Sequence, residues 1–242
     1  MKRYTFIVLL SLCATLTFAQ EGTQGFGLHI GFAQPNLRLN SPAEEAEDKS
    51  KLSRTAFNGL KVGLFYEATY VKGFGSMIGL NYTYGGCSTA WTQKNELSIW
   101  PKTRNRSQLH ALEIFVDWQY KFCIAKDTYI LLYTGPTIQC NVAMSSTVFE
   151  KNSENGDPTK TTISCFDYDD ADLQQDYKRL NVTWGIGAGF QYDRYFIRGG
   201  YDFGLINPYN FDNFEKIGMK DRNTRGRLDQ WQVKFGVFLW KN

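Results

Sequence analysis

Leu109-His110-Ala111-Leu112-Glu113-Ile114-Phe115-Val116-Asp117-Trp118-Gln119-Tyr120-Lys121-Phe122 alternates almost without a break. Leu112, Ile114, Val116, Trp118 and Tyr120 fall on one face. Glu113, Phe115, Asp117, Gln119 and Lys121 fall on the other. A period of two held this long predicts a β-strand with one face in an apolar medium and one among polar groups.

Seven further segments read the same way, at 25–33, 59–71, 76–85, 128–142, 180–192, 195–205 and 228–240. At 180–192, Val182, Trp184, Ile186, Ala188 and Phe190 oppose Asn181, Thr183, Gly185, Gly187, Gly189 and Gln191. At 228–240, Trp231, Val233, Phe235, Val237 and Leu239 oppose Gln230, Gln232, Lys234 and Gly236. The segment 128–142 is apolar on both faces near its start, so its orientation stays open. Short connections at 72–74, 123–127 and 193–194 alternate with long ones at 34–58, 86–108, 143–179 and 207–227. Short turns alternating with long loops around an even number of strands are the pattern of an outer-membrane barrel. The fold expected is all-β: an eight-stranded antiparallel up-and-down transmembrane β-barrel with four long outer loops and short periplasmic turns.

The alternation also suits a soluble barrel, with its faces reversed. Bulk separates the two, because eight strands enclose only enough space for side chains. Gly185, Gly187 and Gly189 fit a narrow lumen better than Trp184, Ile186 and Phe190 do, and 25–33 poses the same choice. The apolar faces are therefore read as lipid-facing. Trp118, Tyr120, Tyr192, Tyr70 and Trp240 then fall near the short turns, and Tyr82, Tyr84 and Trp231 near the long loops, as two aromatic girdles.

The composition agrees. Aromatics make up 16% of the chain, with 22 Gly against 6 Pro. The formal net charge of +3 is too balanced for a nucleic-acid protein. Lys2 and Arg3, an apolar run from Phe6 and the small residues of Thr17-Phe18-Ala19 read as a signal peptide over 1–19, cut before Gln20. Leu12 before Cys13 is not the small residue that lipidation needs. No later apolar stretch reaches the length of a membrane helix, so residues 20–242 are read as one barrel domain in the bacterial outer membrane.

Gly25-Phe26-Gly27-Leu28-His29-Ile30-Gly31, Tyr129-Ile130-Leu131-Leu132-Tyr133-Thr134-Gly135-Pro136 and Tyr201-Asp202-Phe203-Gly204-Leu205-Ile206-Asn207, behind a leader followed by Gln20, resemble the porin-family outer-membrane β-barrel domain of the Bacteroidetes type. More distantly the chain is similar to the OmpA and OmpX kind of small barrel. The resemblance implies the fold and assembly by the barrel-assembly machinery. Such barrels usually end on an aromatic residue, whereas here Lys241 and Asn242 follow Trp240.

The inward faces gather Lys61, Glu67, Glu113, Asp117, Lys121, Arg198, Asp202 and Lys234, read as a lumen charge network that closes the barrel. Asp202 and Lys234, on neighbouring strands, are expected to share it. No catalytic, cofactor or metal site is assigned. His29 and His110 are the only histidines, and neither has a Ser-and-acid pattern nearby. The acidic run Phe166-Asp167-Tyr168-Asp169-Asp170-Ala171-Asp172 lacks calcium-loop spacing. A short helix is expected near 42–52, from the capping box at Ser41, and a β-ribbon around Asn155-Gly156. Arg104, Arg106, Arg222, Arg225 and Arg227 fall in loops where lipopolysaccharide phosphates would lie. Cys87, Cys123, Cys140 and Cys165 allow several disulfide pairings. The function read from this is non-enzymatic: a structural or interaction barrel with at most a narrow pore. Its partners are outer-membrane lipid and lipopolysaccharide, the assembly machinery and an unknown protein met through the outer loops. The alternatives are an outer-leaflet hydrolase or acyltransferase, and an accessory barrel for protein export.

Overall fold

A computed structural model describes residues 22–40, 54–71, 73–93, 101–166, 178–208 and 225–242. Among these residues eleven strands run in chain order: β1 (Gln24–Asn40), β2 (Arg54–Ala56), β3 (Asn58–Val71), β4 (Phe74–Ser88), β5 (Thr92–Gln93), β6 (Lys102–Ala125), β7 (Thr128–Lys151), β8 (Thr159–Ser164), β9 (Leu180–Tyr192), β10 (Tyr195–Gly204) and β11 (Arg225–Lys241). Eight of them close a ring in the order β1-β3-β4-β6-β7-β9-β10-β11, every pair antiparallel. The seam is the β1–β11 ladder, from Gly25↔Lys241 to Asn40↔Arg225. Closure pairs the backbone all round and leaves no edge, the condition for strands to cross lipid. No helix among the described residues is long and apolar enough to cross a membrane.

The three short connections are tight turns. Gly73, Asp127 and Asp193 have φ of 88°, 56° and 48°. Gly takes that left-handed region freely, and Asp tolerates it through its short polar side chain.

Alternation is visible in burial. Along β1, Gly25, Gly27, His29 and Ala33 are buried while Phe26, Leu28, Ile30 and Phe32 are exposed. The outer wall is apolar all round, with Leu80, Ile114, Ile186, Ile197 and Phe235 at least half exposed. Lipid satisfies such a wall and water does not. Tyr120, Tyr192, Tyr195 and Trp240 are exposed at the short-turn end, with Tyr82 and Trp231 towards the loop end.

The strands outrun the expected segments. β6 and β7 have 24 residues each, whereas a membrane strand needs about 9–11. Half of each therefore stands beyond the apolar wall. There β6, β7 and β8 form a ribbon, with Lys102↔Lys151 and Glu150↔Thr159 near its far end. The turn expected at Asn155-Gly156 lies in the connection between β7 and β8. β1 likewise continues through Pro35 to Asn40, where a three-residue β2 pairs with it. The helix expected near 42–52 lies outside the described residues, as do the leader and most of the acidic run.

Candidate functional site

The lumen is built in layers. At the loop end an apolar cap of Leu37, Phe57, Leu109 and Leu228 packs with Cys87 and Met144. Below it lies a polar layer. Nearer the short turns sits an aromatic layer of Phe65, Met77, Phe115, Phe196 and Phe238. All eight ionisable residues read from the sequence are buried inside the ring.

In the polar layer, Lys61 Nζ donates to Glu113 Oε2 at 2.6 Å and to Gln232 Oε1 at 2.9 Å. Glu113 also accepts from Thr83 Oγ1 at 2.9 Å and Asn81 Nδ2 at 3.2 Å. Gln232 Nε2 and Gln230 Nε2 both donate to Asp202 Oδ2, at 2.9 and 3.3 Å. A single chain of contacts thus runs from Asp202 through Gln232 and Lys61 to Glu113. His29 joins it, its Nε2 2.7 Å from Asn81 Oδ1. Because Asn81 spends its amide on Glu113, its oxygen faces the imidazole and Nε2 is the donor.

Two more ion pairs lie nearer the short turns. Arg198 bridges Asp117 at 3.3 Å, bonds Gln119, and lies over the Tyr133 ring at 4.5 Å. Lys121 pairs with Glu67 and donates to Gln191 at 2.8 Å. Lys234 and Asp202 lie in the same charged interior without a direct bond: Asp202 accepts from the two glutamines, and the Lys234 ammonium lies 4.8 Å above the Phe115 ring. The register explains this. Lys234 is level with Arg198 and Gly31, whereas Asp202 is level with Gln230, four residues nearer the loops.

Sequence reading missed the inward aromatics Phe65, Phe196, Phe238 and Tyr133. The signal was glycine on the strand beside each. A methyl at Gly27 would sit 2.5 Å from Phe65 Cζ, and one at Gly236 would run into the Phe196 ring. Rings occupy the volume that glycines vacate, so a narrow lumen fills without straining its wall. The same rule orients β7, which the sequence left open. Leu131 and Tyr133 face inward against Gly187, Gly189 and Gly200, while Ile130, Leu132 and Ile138 face out.

The two histidines lie apart. His29 is buried and stacks on Phe65, with ring centroids 5.9 Å apart. His110 is on the outer wall, Nδ1 2.6 Å from the Tyr82 hydroxyl. Among the described residues neither imidazole bonds to a Ser, a Thr or a carboxylate. Of the loop arginines, Arg227 is held 3.4 Å from Asp229, which also takes Tyr201 Oη and the Gly204 amide. Arg104 and Arg106 are exposed on the ribbon, Arg225 opens β11, and Arg222 lies outside the described residues. Cys87, Cys123, Cys140 and Cys165 are all unbridged.

No curated protein matches the chain. Among solved structures it is similar to Ail, the attachment invasion locus protein of Yersinia pestis, in complex with the heparin analogue sucrose octasulfate. Identity is 11%, coverage 91% of this chain and 100% of that one, and TM-score 0.38. It is similar to Neisserial surface protein A at 13% identity, 90% and 99% coverage and TM-score 0.40. It is similar to the N-terminal barrel of Pseudomonas aeruginosa OprF at 11% identity, 90% and 100% coverage and TM-score 0.30. The family model described as outer membrane protein beta-barrel domain matches residues 18–210. With that match over most of its length, the chain belongs to the outer membrane β-barrel domain family and is a protein of the bacterial outer membrane.

Proposed function

We propose that the chain is a non-enzymatic outer-membrane protein of the Bacteroidetes porin-like type: a sealed barrel whose work is to hold its outer loops and ribbon at the cell surface for a partner. Its leader over 1–19 directs export, and it sits among outer-membrane lipid and lipopolysaccharide after insertion by the assembly machinery. The observation that carries the reading is the burial of the lumen charges. Lys61 is 0% exposed and Glu113 and Arg198 are each 1% exposed, although they line the inside of a barrel. Charges beside an aqueous channel would be wetted, whereas these are matched by protein partners from four different strands.

The ribbon supports the second half of the reading. β6 and β7 carry paired backbone well beyond the apolar wall, a display that a sealed plug does not require. The serine–histidine–acid arrangement of an outer-leaflet hydrolase has no counterpart at either histidine among the described residues, where His29 meets Asn81 and His110 meets Tyr82.

Planar-bilayer recording of the refolded chain tests the seal. Little or no steady current is expected. Large, steady, ion-selective currents from the unmutated protein would overturn the reading and make the lumen a pore.

A further inference from the structure

The ribbon has two faces of different chemistry. Residues paired across a ladder share a face. Arg106↔Thr147↔Thr162 and Arg104↔Phe149↔Lys160 are two such rows, and Lys102↔Lys151 is a third. These rows therefore put Arg106, Arg104, Lys160, Lys102 and Lys151 on one side, around Phe149. Ser88 and Gly86 continue that side onto β4. No Asp or Glu occupies it among the described residues. Glu150 is on the opposite side, and Glu154 and Asp157 are confined to the connection between β7 and β8. By strand spacing, the five cations fall within roughly 10 by 13 Å.

This side continues the lipid-facing wall. Along β6 the same outward row runs Leu112, His110, Gln108, Arg106, Arg104 and Lys102, unbroken by the register shift. Going outward, the row thus passes from aliphatic to polar and then to cationic. Arg104, Arg106 and Lys160 are exposed, and Arg104 Nε is fixed by Ser88 Oγ at 2.9 Å. Lys102 and Lys151 also have other partners, so the first three carry the argument and these two extend the patch.

We propose that this face is a binding site for the phosphate groups of the outer-leaflet glycolipid, with Arg104, Arg106 and Lys160 as its principal contacts. Arginine presents several donors to phosphate in a fixed fork, and a clustered set of cations suits a ligand with more than one phosphate. Continuity with the lipid wall favours a lipid-borne phosphate over a soluble polyanion, because an acyl chain lying on Leu112 and Ile114 brings its headgroup to this row. The inference rests on the membrane orientation given under the proposed function. It would give the displayed ribbon a floor, pinning it against the membrane surface.

The test is a titration of the full chain in detergent micelles with four probes: bisphosphorylated lipid A, dephosphorylated lipid A, inorganic pyrophosphate and heparin. Bisphosphorylated lipid A should bind in a salt-sensitive manner and dephosphorylated lipid A much more weakly. Arg104→Gln/Arg106→Gln/Lys160→Gln should weaken the first by on the order of a hundredfold, and Arg106→Gln alone by about fivefold. Arg104→Lys/Arg106→Lys, which keeps the charge but loses the fork, should bind more weakly than the unmutated protein and more tightly than the triple variant. Unchanged affinity in both the triple and the single variant would overturn the proposal, as would equal binding of the two lipids. Pyrophosphate binding as tightly as lipid A, or heparin binding that lipid A does not displace, would assign the face to a soluble anion and overturn the lipid source. Bilayer current from the triple variant reports separately on the lumen, so a failure of the seal is distinguishable from a failure of this site.

Discussion

Lys61→Met is expected to lower the stability of the folded barrel by about 3–5 kcal/mol, the cost of leaving one partner of a buried ion pair alone. Glu113 would keep Thr83 and Asn81 but lose the ammonium 2.6 Å away, and Gln232 would lose a donor at 2.9 Å. The residue is fully buried, so water does not replace what is removed. Urea midpoints of the refolded protein measure the effect. Lys61→Met/Glu113→Gln should recover more than half of the loss, because the uncompensated charge is gone. Thr83→Ser, which keeps the hydroxyl on Glu113, should be mild. A cost below about 1 kcal/mol for Lys61→Met is what a solvated pair gives, and would mean that the lumen is wet.

The second large effect lies one residue away on the other face. Ile114 is 50% exposed, level with Leu80 on β4 and Ile138 on β7. Ile114→Arg puts a charge on the lipid wall and is expected to cost about 2–4 kcal/mol if the site lies at the bilayer midplane. Phe235→Arg on β11, level with Ile30 and Ile197, should do the same. The yield of folded protein in the outer-membrane fraction and the urea midpoint both report it. Tolerance of both substitutions, with Gln232→Asn more damaging than either, would show that the faces are reversed.

These two residues show what the sequence made legible. Glu113 and Ile114 are neighbours with opposite fates, and period two alone separates them. The rule held wherever one face meets lipid and the other a crowded lumen. It failed above the membrane. Lys102 to Gln108 reads as loop because both of its faces meet water, so no apolar alternation marks it, yet it forms the first part of β6. Ser145 to Lys151 lacks that alternation too, and there the Asn155-Gly156 turn between two β-prone runs marked the ribbon that β7 and β8 form.

Within the lumen, composition was legible and pairing was not. The inward charges follow from parity alone. Which acid meets which base depends on strand stagger, which no single segment encodes. The stagger sets Lys234 level with Arg198 and away from Asp202, and it brings Lys61 on β3 to Glu113 across β4. The inward rings at Phe65 and Phe238 were also hidden, since an apolar residue on the polar face reads as noise until its glycine neighbour is known.

Gel mobility in SDS, with and without boiling, tests the central claim of a closed membrane barrel most directly. A ring sealed by the β1–β11 ladder has no edge from which to unravel. The unboiled membrane-extracted protein should therefore run at a different position from the boiled sample. Identical mobility, together with recovery in the soluble fraction without detergent, would contradict a closed barrel in lipid.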